Sequence, residues 1–96
     1  MSKYKIKYTA EAKEHIEQFK KFGQKIIAKK IDKLLNELRE HPRTGTGKPE
    51  PLKYLQNCWS RRIDKEHRLV YKIEDDKVIV LVLSAYGHYE EMRGNL

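Results

Sequence analysis

Residues 59–73 read WSRRIDKEHRLVYKI, two runs rich in strand-forming residues that are separated by the short polar link DKEH. Trp59 and Ile63 fall on one side of an extended first run, as do Leu69 and Tyr71 in the second. A link of this length joins neighbouring antiparallel strands. The stretch therefore predicts a β-hairpin with one apolar side, built from residues 59–64 and 68–73.

Side-chain alternation also predicts where the cations of this hairpin point. For Ile63 and Leu69 to share a face, paired residues must have numbers with an even sum, and pairing Ile63 with Leu69 satisfies this. That register makes Arg62 and Arg68 diagonal neighbours on the other face. Together with Lys72, they predict a phosphate-binding surface on the face away from the core.

The segments on either side of the hairpin complete a sheet. Residues 77–85 include the run VIVLVL, which is apolar on both faces and therefore belongs in the interior of the sheet. Residues 3–8 alternate between lysine and apolar side chains, as a half-buried first strand does. A short strand near residues 52–55 is a further candidate.

Two amphipathic helices are predicted between the first strand and the Gly- and Pro-rich loop of residues 43–51. Thr9 is placed to cap the first helix, and Gly23 ends it. The second helix ends at the His41-Pro42 pair. Its apolar stripe consists of Ile27, Ile31, Leu34, Leu35 and Leu38.

The predicted fold is therefore α+β in the order β-α-α-β-β-β-β. A mostly antiparallel sheet of four to five strands carries an N-terminal helical hairpin on one face. A chain of 96 residues fits a single domain, residues 1–96.

Composition narrows the functional classes. The net charge of +7 favours polyanionic partners, although lysines on surface helices are commonly just a solvated face. The single cysteine cannot form an internal disulfide, and no signal peptide or apolar run long enough to cross a membrane is present. A cytoplasmic protein without a membrane partner is expected. The histidine and cysteine spacing suits no zinc site, and GTGK at residues 45–48 lacks the remainder of a phosphate-binding loop, so no metal or other cofactor is expected.

Two residues are candidates for acid–base chemistry. Glu50 lies between Pro49 and Pro51, which hold the backbone extended and so position a general base at low entropic cost. His88, just past the last strand, could donate a proton near neutral pH. Tyr89 beside it could contact RNA or complete the edge of the core.

The cations of the hairpin could stabilise phosphate. Arg68 and Arg62 could bind a phosphate and the developing charge of a transition state, or instead pair with Asp64 or Glu66 across the hairpin. Lys53 is either a second phosphate contact or a solvated lysine. Taken singly, none of these residues distinguishes chemistry from an ordinary structural role.

The combination of a base, cations and an acid is what RNA cleavage without a metal requires. A base removes the 2′-hydroxyl proton, the 2′-oxygen attacks the adjacent phosphate, and an acid protonates the leaving 5′-oxygen. The product is a 2′,3′-cyclic phosphate.

Three stretches carry a resemblance to a known family. The runs GKPEPLKY, WSRRIDKEHRLVY and the later HY pair resemble the YoeB (Txe/YoeB) toxins of the RelE superfamily of bacterial toxin–antitoxin systems. The similarity covers essentially the whole chain. It implies an RNase-like fold and an endoribonuclease that cleaves mRNA in the A site of a translating ribosome and so inhibits translation.

The resemblance also implies roles for individual residues. The family's general base falls on Glu50, its transition-state arginine on Arg68 and its general acid on His88. Glu66 matches a carboxylate near the site. The supporting phosphate or RNA contacts fall on Lys53, Arg62 and Tyr89.

The same resemblance implies partners. A cognate antitoxin of the YefM/Phd type would cover the site, and the complex would bind operator DNA through the antitoxin; homodimerisation is a further expectation. Two features depart from the family pattern. EEMRGNL follows Tyr89 as an extension of residues 90–96, and Gly87 stands before His88 where an aromatic residue is common.

Two other functions remain open at the level of sequence. A toxin of the same fold could poison DNA gyrase, as ParE-like toxins do, although such a toxin does not need Glu50, Arg68 and His88 together. A non-catalytic nucleic-acid-binding module would need only the cations.

Overall fold

The β-hairpin is the centre of a five-stranded sheet in the computed structural model, which describes residues 3–85. The sheet order is β1-β5-β4-β3-β2; β1 and β5 run parallel, and the other neighbours are antiparallel. The predicted α+β class and element order are confirmed. The elements are β1 Lys5–Tyr8, α1 Ala10–Lys21, α2 Lys25–Leu38, β2 Glu50–Pro51, β3 Cys58–Arg62, β4 Arg68–Glu74 and β5 Ile79–Ser84.

The first helix begins and ends where the sequence predicts, whereas α2 ends at Leu38, before the predicted stop at His41-Pro42. The Thr9 hydroxyl accepts a hydrogen bond from the Ala12 N–H at 3.0 Å, which caps α1. Gly23 takes a φ of 71° and turns the chain out of α1. Within residues 3–85, neither helix is long and apolar enough to cross a membrane.

The two faces of the sheet carry cores of different size. The helix-facing core joins residues of α1 and α2 to alternate residues of the sheet, so the prediction that the helices cover one face is confirmed. Burial of these side chains drives the packing. The opposite face has a small cluster formed by Leu52, Cys58 and Val70, with Leu55 and Leu83 against it.

The short strand near residues 52–55 was predicted in the wrong place. The extended pairing is made by Glu50–Pro51, opposite Ser60 and Trp59. After Leu52, whose N–H bonds the Cys58 carbonyl, the chain turns back so that Leu52 and Leu55 pack on the small cluster. Burial of these leucines thus ends the strand early.

The hairpin register is also a correction. The even-sum rule holds, but Arg62 pairs with Arg68 and not Ile63 with Leu69, so the two arginines are directly opposite each other. The reason lies in the turn, where the Asp64 carboxylate accepts the N–H groups of the two residues before Arg68, at 2.8 and 2.7 Å. This Asx-type turn tightens the link and shifts the ladder by two residues.

Arg61 is the buried charge at the centre of this hairpin. Alternation places it between Trp59 and Ile63 on the helix-facing side, where its side chain is 0% exposed. Its Nε donates to the Tyr71 hydroxyl at 3.1 Å and its Nη1 to Glu37 Oε1 at 2.9 Å. The remaining hydrogen bonds go to the carbonyls of His41, Thr44 and Thr46.

These contacts fix the loop between α2 and β2. Burial raises the pKa of Tyr71, and its hydroxyl donates to the Pro42 carbonyl at 2.7 Å. A Cβ on Gly45 would lie 2.3 Å from Glu37 Oε1, and one on Gly47 would lie 2.7 Å from the Arg62 carbonyl. Because the loop wraps so closely around Arg61, glycine is required at both positions.

Replacing Arg61 with methionine is expected to lower the free energy of unfolding by roughly 3–5 kcal/mol, because the Glu37 carboxylate loses its counter-charge and three loop carbonyls lose their donor. Arg62→Met is the matched control, since Arg62 is exposed, and about 0.5 kcal/mol or less is expected there. Urea unfolding followed by circular dichroism compares the two. Equal losses would contradict a structural role for the Arg61 network.

Acid should weaken the same network. Burial alone raises the pKa of Glu37, but hydrogen bonds from Thr46 and the Arg61 charge outweigh it and hold that pKa below its ordinary value of 4.5. The resulting stability is present above pH 4.5 and is lost as the pH falls through the lower folded-state pKa.

We therefore expect Glu37→Gln to lower the free energy of unfolding at neutral pH by roughly 1.5–3 kcal/mol. The difference from the wild type should shrink as the pH falls below 4.5. Urea titrations across this range provide the measurement, and a difference that stays constant with pH would show that the Glu37 charge contributes nothing.

Candidate active site

Glu50 begins the edge strand β2 at the end of the loop that Arg61 fixes. It pairs with Ser60 in the ladder, and Pro49 and Pro51 restrict its backbone on both sides. Its side chain is 50% exposed. The carboxylate is thus held on a constrained backbone and remains open to a ligand.

Arg68 places a guanidinium against this carboxylate. Its Nη2 lies 3.1 Å from Glu50 Oε1 and its Nε donates to the Ser60 hydroxyl at 3.0 Å. The Arg68 side chain is only 9% exposed, so its charge is poorly screened by water. The structure therefore brings together two of the three residues expected to be catalytic.

Ser60 is the part of the site that sequence reasoning missed. It is fully buried, and its hydroxyl fixes the plane of the Arg68 guanidinium. The alternation that placed Ser60 on the same face as the two arginines was the available signal. Nothing else in the sequence around Ser60 indicated that its hydroxyl would contact Arg68.

The remaining candidates within residues 3–85 lie around this pair. Arg62 is exposed, directly across the ladder from Arg68. Lys53 is exposed in the chain that follows β2, and Glu66 is exposed in the hairpin turn. Within residues 3–85, neither Lys53 nor Glu66 makes a side-chain hydrogen bond or salt bridge to Arg68. Asp64 caps the turn instead of pairing with an arginine.

His88 and Tyr89, the expected acid and its neighbour, lie outside the described residues. Among residues 3–85 themselves, no three His, Cys, Asp or Glu side chains come together as a metal-binding group. The described site consists of a partly exposed carboxylate, a buried guanidinium and a further guanidinium opposite it. Such a set can accept a proton and stabilise an anion.

The chain has relatives of known family. A family model described as the YoeB-like toxin of bacterial type II toxin–antitoxin systems matches residues 8–89. The chain belongs to this family. Toxin YoeB of Escherichia coli K12 is 53% identical to it over 57 residues, which cover 58% of this chain and 68% of that protein.

Solved structures of YoeB proteins have the same fold. The structure of the YoeB dimer from Staphylococcus aureus gives a TM-score of 0.80 with 37% identity, covering 92% of this chain and 100% of the other. The heterotetrameric YoeB–YefM toxin–antitoxin complex from the same organism gives a TM-score of 0.76 with 38% identity and covers 90% and 98% of the two chains. The family predicted from GKPEPLKY and WSRRIDKEHRLVY is confirmed.

The role of Ser60 can be measured in this YoeB-like chain. Ser60→Ala leaves a buried Arg68 N–H without its acceptor, so the free energy of unfolding should fall by about 1–3 kcal/mol. Glu50→Gln alters a half-exposed ion pair and should cost about 1 kcal/mol or less. Urea unfolding of both variants tests this, and a smaller loss for Ser60→Ala than for Glu50→Gln would contradict the orienting contact.

Proposed function

We propose that this protein is a ribosome-dependent endoribonuclease that cleaves mRNA in the ribosomal A site without a metal and so inhibits translation. The observation that carries the proposal is the 3.1 Å contact between the open Glu50 carboxylate and the buried Arg68 guanidinium. Membership of the YoeB-like toxin family supports it. A binding module that held RNA only by charge would gain nothing from an acidic residue at this position.

Glu50 acts as the general base. Its Oε1 bonds Arg68, and within residues 3–85 its Oε2 has no hydrogen-bond partner. Oε2 can therefore accept the 2′-hydroxyl proton while Oε1 remains held. The fixed backbone between Pro49 and Pro51 supports this role because little freedom is lost when RNA binds.

Arg68 stabilises the charge that develops as the 2′-oxygen attacks phosphorus. Ser60 orients its guanidinium in advance, so no reorganisation is needed at that moment. Arg62, opposite Arg68, supplies a second positive charge. His88 protonates the leaving 5′-oxygen, and the products are a 2′,3′-cyclic phosphate and a free 5′-hydroxyl. Lys53 and Tyr89 contact the RNA, and Glu66 contributes a carboxylate near the site.

The proposal extends to partners. The Staphylococcus aureus relatives crystallised as a YoeB dimer and as a YoeB–YefM complex. We propose a cognate antitoxin of the YefM/Phd type that covers Glu50 and Arg68, a homodimer, and binding of operator DNA through the antitoxin complex. The ribosome places the site of action in the cytoplasm.

Cell-free translation of a defined message tests the activity. Glu50→Gln and His88→Gln should each lower the rate of cleavage by about 10²–10⁴-fold, since each removes a proton-transfer group. Arg68→Gln should lower it by about 10²–10³-fold through loss of charge stabilisation. Primer extension locates the cut, and analysis of the 3′ end detects the cyclic phosphate.

Glu14→Gln is the matched control, because Glu14 is exposed on α1 and its substitution removes the same charge as Glu50→Gln does. It should cleave at the wild-type rate. An intact message with blocked translation would indicate a non-catalytic RNA-binding protein. Undisturbed translation would favour the alternative hypothesis of a toxin that poisons DNA gyrase. Wild-type cleavage by Glu50→Gln would refute the proposed base.

A further inference from the structure

A second group of cations lies at the opposite edge of the sheet from Glu50. Lys5 and Lys7 are exposed on β1, while the residues that alternate with them pack on the helix-facing core. A recess of about 640 Å³ is lined by these cations together with residues of β1 and β5. We call this group the β1 cation surface; it consists of Lys3, Lys5, Lys7, Arg39 and Lys77.

The lysines of this surface make no close pair with a carboxylate of residues 3–85. Within residues 3–85, none of the four makes a salt bridge, and no acidic residue lines the recess. Asp75, in the turn before β5, is already held by Arg43 at 2.6 Å and by the Tyr4 hydroxyl at 2.6 Å. Hydrogen bonds from Arg43 and Tyr4 are the largest causes that lower the pKa of Asp75, and the charge of Lys3 is the smallest. The fold therefore collects like charges, which repel one another until a polyanion is bound.

The sheet register places Lys5 and Lys7 of this surface on the same face as Arg68. Lys7 pairs with Leu81 of β5, and Leu81 pairs with Lys72 of β4. Arg68 is four residues from Lys72 on the same face, while Val80 lies on the helix-facing side. From strand geometry, Lys7 and Arg68 are separated by roughly 10 Å across the strands and roughly 13 Å along them.

The surface between these cations is mixed. Ile79 and Leu81 are half-buried and present apolar atoms beside Lys5 and Lys7. Lys72 lies on the way to Arg68 and has Glu74 at 3.9 Å. Separated positive charges with apolar area between them suit a chain that carries phosphates at intervals and has sugars and bases between them.

We propose that the β1 cation surface binds the phosphate backbone of the same RNA strand that is cleaved at Glu50 and Arg68, several nucleotides away from the scissile bond. The identity of the polymer rests on the proposed function; the charge and its position do not. Lys5 and Lys7 are about 6.6 Å apart along β1, which lets both contact one extended strand. Single-stranded RNA is the occupant because 2′-oxygen attack takes place within one strand, and that strand continues from the site.

RNA of two lengths tests the proposal by fluorescence anisotropy. Fully 2′-O-methylated single strands of about fifteen and about two nucleotides cannot be cleaved, and only the longer one can span both sites. Lys5→Gln/Lys7→Gln should weaken binding of the longer strand by roughly tenfold and leave the shorter one unchanged. It should also reduce the slope of log affinity against log salt by about 1.4, from about 0.7 for each phosphate contact.

Lys29→Gln/Lys33→Gln is the matched control, because both residues are exposed on α2 and the variant loses the same two charges. It should bind both strands as the wild type does, and thermal unfolding should show that both double variants are folded. Equal weakening by the two double variants would reduce the effect to net charge and overturn the proposal. So would an unchanged affinity for the longer strand, or an equal loss on duplex RNA of the same length.

The binding assay is independent of cleavage. Length-dependent binding that requires Lys5 and Lys7, in a protein that does not cut mRNA, would refute the proposed function and leave the surface established. Cleavage that needs Glu50, with no contribution of Lys5 and Lys7 to binding, would support the proposed function and refute RNA binding by the β1 cation surface.

Discussion

The buried guanidinium of Arg61 is the constraint on which the functional part of this fold depends. A charge placed in a protein core is tolerated only when its donors are matched by acceptors. Here the acceptors are Glu37 of α2, Tyr71 of β4 and three carbonyls of the loop that follows α2. The same contacts that make the charge tolerable therefore fix the loop that leads to Glu50.

The two residues of the candidate site, Glu50 and Arg68, are positioned by different segments of the chain. Glu50 is positioned by the loop and by β2, whereas Arg68 is positioned by the tight hairpin turn and by Ser60. The two meet because β3 lies between them in space and carries Arg61 on one face and Ser60 on the other. One strand thus supports the site from both sides of the sheet.

Charge is distributed differently in the core and on the surface. Arg61 and Arg68 are buried and paired, while the lysines of the β1 cation surface are exposed and make no salt bridges within residues 3–85. Lysine, with a mobile and strongly hydrated head group, suits the second setting, and the planar, multiply donating arginine suits the first. The proposed function would use this division, with Arg68 orienting one phosphate closely and the lysines holding others loosely.

The sequence by itself determined the order of the elements, the limits of α1, the even-sum rule of the hairpin and the family. Each of these follows from local periodicity, from capping residues such as Thr9 and Gly23, or from contiguous runs such as WSRRIDKEHRLVY. Only the tertiary structure decided the two-residue shift of the hairpin, the end of β2 at Pro51, the partners of Arg61 and the shared face of Lys7 and Arg68. The hairpin shift depends on the side-chain contacts of Asp64 within the turn, and the partners of Arg61 depend on distant residues such as Glu37. Side-chain periodicity records which face a residue occupies but not which residue lies opposite or how tightly a turn closes.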